Sequence, residues 1–525
     1  MKKRILFIFS GIICLQIINL LYAQSLPVGF PLIEEGLRRE QLLERVDSTI
    51  SFNIRSLNFI EELQKKRPFF TFGSMLKKSE RQQFFLQILP ILNQTEYTSN
   101  TPYQTNNGLM LPLAGFQSSL SGGFYAKLGI LSLQLYPNLY NGMNRDIGGY
   151  SNINKVDWGQ SQIALSYKSF KLALSNQNIW WGPSKKNALI MSNNAAGFKH
   201  ISFKSSRPVN IFLGHLEWEL IGGILENSVH VSHYPNQSYT SIPFSEPANQ
   251  DLRYMNGISI SYHPKWVPGL FLGFNRAVQM YRQTAIDYSS YLPVFGTLMR
   301  KGGDDIGTDG QISASIRYVM GGANAELYFD FGKNDATTNT RVLLTMPQDS
   351  RAYLFGVTKI ISLSSKNKLI ELNFEVTKIS QTINRVVRDA GSWYVHGILK
   401  QGFSHQGQVL GAGVGPGGDQ QDFNIKIVDS QSSFKYGLNM RRVVHNNDYV
   451  HASFDDLDQR KRYWVDLSLG LEAGGFYKGF IFEGQLTYVY SLNYQWELLN
   501  ELKGPLTQGN NQTNVFLGIN TAYQF

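Results

Sequence analysis

The chain ends with Asn514-Val-Phe-Leu-Gly-Ile-Asn-Thr-Ala-Tyr-Gln-Phe525, a stretch in which the side chains alternate strictly in character. Successive side chains of a β-strand point to opposite faces, so the alternation sorts them into two sets. The apolar face carries Val515, Leu517, Ile519, Thr521, Tyr523 and Phe525. The opposite face carries Asn514, Phe516, Gly518, Asn520, Ala522 and Gln524. An apolar outer face over a polar or small inner face is typical of a transmembrane β-barrel wall. The alternative is a soluble β-sandwich, which can end on a similar strand.

The first 23 residues have the parts of a signal peptide. Met1-Lys-Lys-Arg4 is positively charged, residues 5–21 are mostly apolar, and the small Ala23 precedes a plausible cleavage point. We therefore expect residues 1–23 to be removed on export, with an uncleaved membrane anchor as the alternative. The single cysteine, Cys14, would leave with this segment. The mature chain would then have no disulfide and no cysteine-based chemistry.

Composition also favours a membrane barrel. Hydrophobic residues make up 42% of the chain, charged residues only 17%, and there are 48 glycines. Beyond residue 23 no apolar run reaches the roughly 20 residues that a spanning helix needs, and a membrane protein without such helices must be a closed barrel. The formal charge of +10 is dispersed and forms no basic stripe. We expect outer-membrane lipid, lipopolysaccharide and surface polysaccharide as partners, and no nucleic acid.

Residues 24–80 differ from the rest of the chain. Residues 32–46 mix apolar side chains with opposite charges at helical spacing, and a second helical stretch covers residues 57–66. We predict a short N-terminal α-helical element that either plugs the barrel or lies beneath it in the periplasm. A loosely packed leader with no further task is the alternative.

Residues 81–525 predict an all-β fold, a transmembrane antiparallel β-barrel with long extracellular loops. Tight turns and long connections alternate and give about 18 strands, with a range of 16–20. Residues 381–420 could hold another hairpin, which would raise the count to twenty. The tight turns are expected near residues 128, 169, 206, 265, 321, 364, 431 and 475. The clearest hairpin joins residues 312–318 to residues 325–331 across Gly321-Gly322.

No pattern in the chain indicates an enzyme. None of the nine histidines lies in a nucleophile or metal motif, and His396 and His405 are expected at the surface of a polar loop. We therefore predict a protein without catalytic activity, without a metal site and without a cofactor. An outer-membrane hydrolase is the weakest alternative, because no motif supports it.

The most distinctive stretch is Asn178-Ile-Trp-Trp-Gly-Pro-Ser-Lys-Lys-Asn187, which continues to Phe198. Adjacent tryptophans in an amide-rich loop are typical either of a core or of a sugar-binding surface, since aromatic faces stack on sugar rings and amides bind hydroxyl groups. The predicted polysaccharide-binding residues are Trp180, Trp181, Asn187, Asn193, Asn194, Gln401 and Gln406. The alternative is that at least one tryptophan is buried and stabilises an inward-folded loop.

This stretch also carries a family resemblance. Trp-Trp-Gly-Pro at 180–183, Asn187-Ala-Leu-Ile-Met-Ser-Asn-Asn-Ala195 and Gly197-Phe198 together resemble the signature of the Wzi-type capsule assembly family. Weaker similarities lie at residues 37–42, 51–55 and 401–411. The resemblance implies an eighteen-stranded outer-membrane barrel with a small helical element. It further implies a surface lectin that helps to hold capsular polysaccharide on the cell, with the export machinery as a further candidate partner.

A channel is the main alternative function. Six charged side chains are predicted to point into the barrel: Arg317, Glu326, Asp330, Glu371, Glu375 and Glu483. They suit a water-filled pore, but they equally suit a barrel closed by a salt-bridged plug, so the sequence leaves both functions open.

Overall fold

The computed structural model of the protein describes residues 31–46, 49–55, 84–103, 106–143, 152–227, 252–282, 307–334, 344–345, 347–363, 368–381, 392–429, 434–454, 461–500 and 508–523. The predicted signal peptide, the helical stretch at 57–66 and the terminal Phe525 lie outside these residues.

Eighteen antiparallel strands form a closed barrel, which confirms the predicted fold and strand number. Three of the strands are interrupted and consist of two segments each. In chain order the strands are β1 Phe84–Thr98, β2 Gly115–Leu128, β3 Leu131–Leu135 with Asn138–Gly142, β4 Ile153–Asp157 with Gln162–Tyr167, β5 Phe170–Ser175, β6 His200–Ser205 with Val209–Ile211, β7 Gly214–Leu225, β8 Arg253–Pro264, β9 Leu270–Tyr281, β10 Thr308–Met320, β11 Ala325–Asn334, β12 Arg351–Ser362, β13 Lys368–Lys378, β14 Asp419–Asp429, β15 Lys435–Val444, β16 Val465–Tyr477, β17 Phe480–Leu492 and β18 Gln512–Tyr523.

The ladder between β18 and β1 closes the barrel. It runs from the pair Ile91 and Tyr523 to the pair Thr98 and Phe516. Strand β13 pairs directly with β14, so residues 381–420 contribute no further strand to the wall. The range of 16–20 strands therefore narrows to eighteen.

The predicted alternation matches the two surfaces of the wall. On β18, Val515, Leu517 and Ile519 are about 40% exposed, whereas Asn514 and Phe516 are buried. The predicted hairpin of β10 and β11 has the expected register, with exposed Ile316, Leu327 and Phe329 and buried Arg317, Glu326 and Asp330. The outer surface is thus an apolar belt suited to lipid, and the charged side chains point into the lumen.

The described tight turns lie at one end of the barrel, because the antiparallel strands alternate in direction, and the described parts of the long connections lie at the other end. Two of the predicted turns are displaced. Strand β6 is only interrupted near Ser206, and its turn to β7 comes at Phe212-Leu213. The turn after β16 comes at Lys478-Gly479, where both residues have positive φ. Both hairpins are longer than predicted because pairing continues through a polar or glycine-rich stretch.

The described helices are short. Helix α1 covers Pro31–Leu42 and overlaps the helical stretch predicted at residues 32–46, and helix α2 covers Asn447–Ser453. In the described part of the chain no helix combines the length and the apolar character needed to cross a membrane. Three short strand pairs lie outside the wall: Ile54–Arg55 with Trp180–Trp181, Ser404–His405 with Gln408–Val409, and Leu498–Asn500 with Gln508–Gly509.

Helix α1 lies inside the barrel, near the end that carries the tight turns. Arg38 Nη2 is 3.0 Å from Glu326 of β11, and Arg39 Nε is 2.9 Å from Glu371 of β13. One turn earlier on the same face of the helix, Glu35 accepts hydrogen bonds from Lys426 of β14 and Lys435 of β15. Because these wall residues point inward, ion pairs hold the helix against the part of the wall formed by β11–β15.

Burial disfavours the charged form of Glu35, but the two lysines outweigh it and hold the pKa of this carboxyl well below its ordinary value. A carboxyl with a lowered pKa stabilises the folded state above its unfolded pKa and loses that contribution as the pH falls through the lowered value. The contact is therefore fully formed at neutral pH.

Arg38, Arg317 and Glu326 form the most buried group of charges. Glu326 is 0% exposed and lies 2.7 Å from Arg317 Nη2 and 3.0 Å from Arg38 Nη2. The ring of Phe52 packs against both guanidinium groups, with centroid distances of 5.6 and 5.3 Å. Removing one partner from such a buried group leaves an uncompensated charge and costs about 3–5 kcal/mol.

We therefore expect Glu326→Gln to lower the free energy of unfolding by about 3–5 kcal/mol, because two buried arginines lose their counter-charge. The measurement is the fraction of protein that stays folded on a gel after heating in detergent. Glu44→Gln is the control, since this exposed carboxylate follows α1 and is expected to change stability by less than about 0.5 kcal/mol. Equal melting of Glu326→Gln and the parent protein would contradict the prediction.

Candidate functional site

The loop between β5 and β6, residues 176–199, folds into the barrel and is called the lumenal loop below. Strand β5 and the first segment of β6 have only six residues each, whereas β7, which pairs with β6, has twelve, so the loop leaves the wall partway along the barrel. Trp181 pairs with Ile54 in a short ladder inside the lumen. Its ring packs against Gly257 of β8, where an added Cβ would lie 2.5 Å from the ring. The wall therefore makes room for the tryptophan.

Both tryptophans of the distinctive motif are buried. Trp181 is 0% exposed, and its Nε1 donates a hydrogen bond of 2.8 Å to Glu219 of β7. Trp180 is 5% exposed, and the guanidinium of Arg55 lies 4.9 Å from its ring. The structure thus supports the alternative in which these residues stabilise an inward-folded loop. Their faces are not available to a sugar in this conformation, because protein atoms already cover them.

The tip of the lumenal loop is tied to β13 through one carboxylate. Glu375 accepts hydrogen bonds from the backbone N–H groups of Lys185, Lys186 and Asn187, at 2.9 to 3.1 Å. It also accepts a bond of 2.8 Å from the hydroxyl of Tyr328. The side-chain amide of Asn187 donates to Thr377 and is buried, so this predicted sugar ligand is a structural contact here.

A second long connection, residues 392–418 between β13 and β14, packs against the lumenal loop and is called the cover loop. The hydroxyl of Tyr394 donates a bond of 2.7 Å to the carbonyl of Leu189, and Ser192 N donates to the carbonyl of Leu410 at 2.8 Å. Wall residues hold the cover loop in turn, since Arg253 of β8 donates to the carbonyl of Gly402 at 2.7 Å.

The two loops and the wall together form an apolar core within the lumen. The lumenal loop contributes Ile179, Trp181, Leu189, Ile190, Met191, Ala195 and Phe198. The cover loop contributes Trp393, Tyr394, Phe403, Val409, Leu410, Ala412 and Val414. The wall contributes Ile221, Leu225, Met255, Ala277, Tyr328, Ala352, Leu354 and Val443, and Ile379 joins them directly after β13. Where the wall faces these loops, apolar side chains pack together beside polar wall residues that hydrogen-bond the loops.

The other predicted sugar ligands lie around the same two loops. Asn193 donates to the carbonyl of Asn106, and Asn194 donates to that of Val409, both at 2.9 Å. Gln401 is buried and accepts a bond from Tyr281, whereas Gln406 bonds Glu226 and Lys155. Of the seven predicted residues, only Asn194 and Gln406 are partly exposed. Their contact with polysaccharide stays a prediction.

His405 differs from its expectation as a surface residue. It is 2% exposed, and its Nδ1 accepts a hydrogen bond of 3.1 Å from the backbone N–H of Glu226. Burial lowers the pKa of the imidazole to about 3, so this histidine is neutral at physiological pH. The expectation was wrong because the cover loop folds into the lumen. Among the residues that the structure describes, no group of three or more His, Cys, Asp or Glu side chains is placed to hold a metal ion.

An amide-lined cavity lies between β1–β4 and the lumenal loop. It encloses about 560 Å³ of space free of protein atoms, part of it in the open mouth. The amide side chains that line it are Gln94, Asn107, Asn138, Gln160, Asn178 and Asn193. Asp157 is the one charged residue among its described lining residues. Sequence reasoning missed this cavity because its residues come from six separate segments that only the closed barrel brings together.

A comparison of the chain with known protein families identifies its family. The family described as capsule assembly protein Wzi matches residues 82–477, which include both loops and the wall as far as β16. The chain belongs to the Wzi capsule assembly family. The resemblance predicted from the tryptophan motif is thereby confirmed. No curated protein matches the chain by sequence.

Among solved structures, the chain is similar to Wzi of Escherichia coli, described as a carbohydrate-binding β-barrel involved in group 1 capsule assembly. The TM-score is 0.64 at 13% identity, over 95% of this chain and 99% of that one. This likeness establishes the shared fold. OprD of Pseudomonas aeruginosa matches at a TM-score of 0.40 and 9% identity, over 83% of this chain and 92% of that one. OccAB2 of Acinetobacter baumannii matches at a TM-score of 0.41 and 8% identity, over 83% of this chain and 98% of that one.

We expect Trp181→Ala to destabilise this Wzi-family barrel by about 3–5 kcal/mol, since it removes the ring that joins the lumenal loop to β7 and β8. Gly257→Val tests the same contact from the wall, because added methyl groups would collide with the ring. The control is Trp266→Ala, a tryptophan that is 64% exposed in the turn between β8 and β9. Gel shift after heating in detergent measures all three. If only the control variant lost stability, the stabilising role of the Trp181 ring would be refuted.

Proposed function

We propose that the protein is a non-enzymatic outer-membrane surface protein that binds capsular or other surface polysaccharide and helps to hold it on the cell. The observation that carries the proposal is the filled lumen. Helix α1, the lumenal loop and the cover loop occupy the described interior through buried ion pairs and an apolar core. Membership of the Wzi family supports the same function, and the similar Wzi of Escherichia coli is described as carbohydrate-binding.

The two ends of the barrel suggest how the protein is oriented. Short turns face the periplasm and long loops face outward in outer-membrane barrels. On that basis α1, the described helix of the N-terminal segment 24–80, plugs the barrel at the periplasmic end, after cleavage of residues 1–23 near Ala23. The long loops at the other end face the polysaccharide, with lipopolysaccharide around them. The export machinery that delivers the polymer is the further partner we expect.

The polysaccharide would bind each protein molecule weakly, but it would bind strongly to many copies of the protein at once. Partly exposed amides such as those of Asn194 and Gln406 can bond sugar hydroxyls, as can the amides of the cavity. A long polymer repeats the same unit, so it engages many copies of the protein at once. Avidity of this kind exceeds the single-site affinity by about 10²–10⁴ when the geometry permits simultaneous contacts.

The packed lumen leads to a direct prediction on conductance. We expect the purified full-length protein to give no steady open current in a planar bilayer, because side chains of the two loops replace the water path. Insertion is verified independently by protection of the barrel from added protease, and an open porin serves as the positive control. A steady current from inserted protein would favour the channel function instead.

The anchoring function predicts a change in where the polymer is found. In a strain that lacks the gene, we expect the same total amount of surface polysaccharide, with most of it shed into the medium. Re-expression of the parent protein is expected to restore the cell-bound fraction. The measurement separates cell-bound from released polymer by centrifugation. Unchanged retention in the deletion strain would contradict the proposed function while leaving the barrel fold intact.

A further inference from the structure

Five aromatic rings meet at the long-loop end of β15, β16 and β17. His445 stacks on Trp464 at a centroid distance of 3.9 Å, and Trp464 contacts Tyr494 at 4.9 Å and Trp496 at 5.2 Å. Tyr449 of α2 completes the group at 4.7 Å from Trp496. We call these five residues the rim platform. Tyr449 is buried, and the other four keep part of their surface exposed.

Hydrogen bonds hold the rings of the rim platform in place. The carboxylate of Asp466 accepts a bond of 2.8 Å from Trp464 Nε1 and lies 2.7 Å from His445 Nε2. Trp496 Nε1 donates to the backbone carbonyl of His445 at 3.2 Å. Both indole N–H groups are therefore satisfied within the protein, and what the platform offers to a partner is the exposed surface of its rings.

The backbone beneath the platform is held in an unusual conformation. Asn493, Gln495 and Trp496 have φ values of 50°, 57° and 59°, in the left-handed region that a bulky residue rarely adopts. Local bonds maintain it, since Tyr494 N donates to the carbonyl of Asn510 at 2.7 Å, and Asn493 Nδ2 donates to that of Tyr463 at 3.0 Å. Strain of this kind concentrates at ligand-binding segments, and here it presents Trp496 to the platform.

The platform faces the mouth of the barrel and not the lipid. Asp466 is two residues from the buried Ser468 on β16, so both side chains point to the inner face of the wall. Leu467 and Leu469 are exposed on the outer face. Helix α2 links the platform to the cover loop, because Asp448 accepts a bond from Gln381 N and another from Ser392 at the start of that loop. An aromatic girdle at the lipid interface would instead use outward positions such as that of Leu467.

We propose that the rim platform is a stacking subsite for one pyranose residue of the bound polysaccharide. This inference rests on the proposed function and names where that function is carried out. A pyranose ring has an apolar C–H face, which the negative face of an aromatic ring attracts, and a rim of hydroxyl groups. The partly exposed side chains of Glu497 and Asn510, and the exposed Asn511, border the platform and suit those hydroxyls.

The rigidity of the platform favours this use. Stacking on rings that are already held by Asp466 and His445 orders no flexible side chain when the sugar binds, so little conformational entropy is lost. The buried Trp180 and Trp181 have no such exposed face. The tryptophans that contact polysaccharide are therefore Trp464 and Trp496.

The test uses full-length protein in detergent and polysaccharide purified from the surface of the producing strain. We expect Trp464→Ala and Trp496→Ala each to weaken binding to immobilised polymer by roughly tenfold, the effect of losing about one stacking contact. Trp266→Ala is the matched control, because this exposed tryptophan lies at the opposite end of the barrel. Gel shift on heating establishes that each variant is folded.

A second measurement needs no variant and covers the case in which a substitution disturbs the loop. The parent protein is oxidised with N-bromosuccinimide, with and without polymer, and the modified tryptophans are located by mass spectrometry. Polymer is expected to protect Trp464 and Trp496 and to leave Trp266 reactive. Protection by lipid bilayer alone, with no added effect of polymer, would identify a membrane contact and overturn the proposal.

The outcomes separate this inference from the proposed function. If the parent protein binds no polymer, the proposed function fails, and the subsite fails with it. If the parent protein binds polymer but both platform variants bind equally well and neither tryptophan is protected, only the subsite is refuted. Weaker binding of the platform variants, together with protection of the same tryptophans, supports both.

Discussion

Closure of the β18–β1 ladder is the constraint on which the rest of the structure depends. A sheet in lipid must pair every backbone group, so it cannot leave an open edge. Closing eighteen strands satisfies the backbone but creates an interior whose wall carries charged side chains such as Glu326 and Lys426. These charges need water or partners of opposite sign. Helix α1 supplies partners through Arg38 and Glu35, and the barrel and its plug therefore stabilise one another.

The interior is filled by two kinds of interaction at two levels. Near the tight turns, ion pairs join α1 to the wall, because the inward residues there are charged. Farther along the barrel, the lumenal loop and the cover loop pack an apolar core around Trp181 and Trp393. This core leaves the mouth as the place where a large polymer can make contact. The proposed binding function and the rim platform both follow from that division.

The sequence predicted local features better than it predicted contacts between distant segments. Period-two alternation located β18 and the hairpin of β10 and β11, because alternation depends only on neighbouring residues. It also predicted that Arg317 and Glu326 point inward. It did not show that Trp181 lies against Gly257, since these residues belong to different strands and loops. The surface position predicted for His405 is wrong for the same reason: a polar loop predicts exposure, but this loop folds into the lumen.

By itself, the sequence determined the barrel, a strand number between 16 and 20 and the resemblance to its family, because strand pattern, turn spacing and the tryptophan motif are properties of contiguous residues. Only the tertiary structure decided that the lumen is packed, that Trp180 and Trp181 are buried, and that His445, Trp464 and Trp496 meet at the rim. These facts depend on which inward faces and loops the closed barrel brings together, and residues far apart in sequence carry no local signal of that proximity.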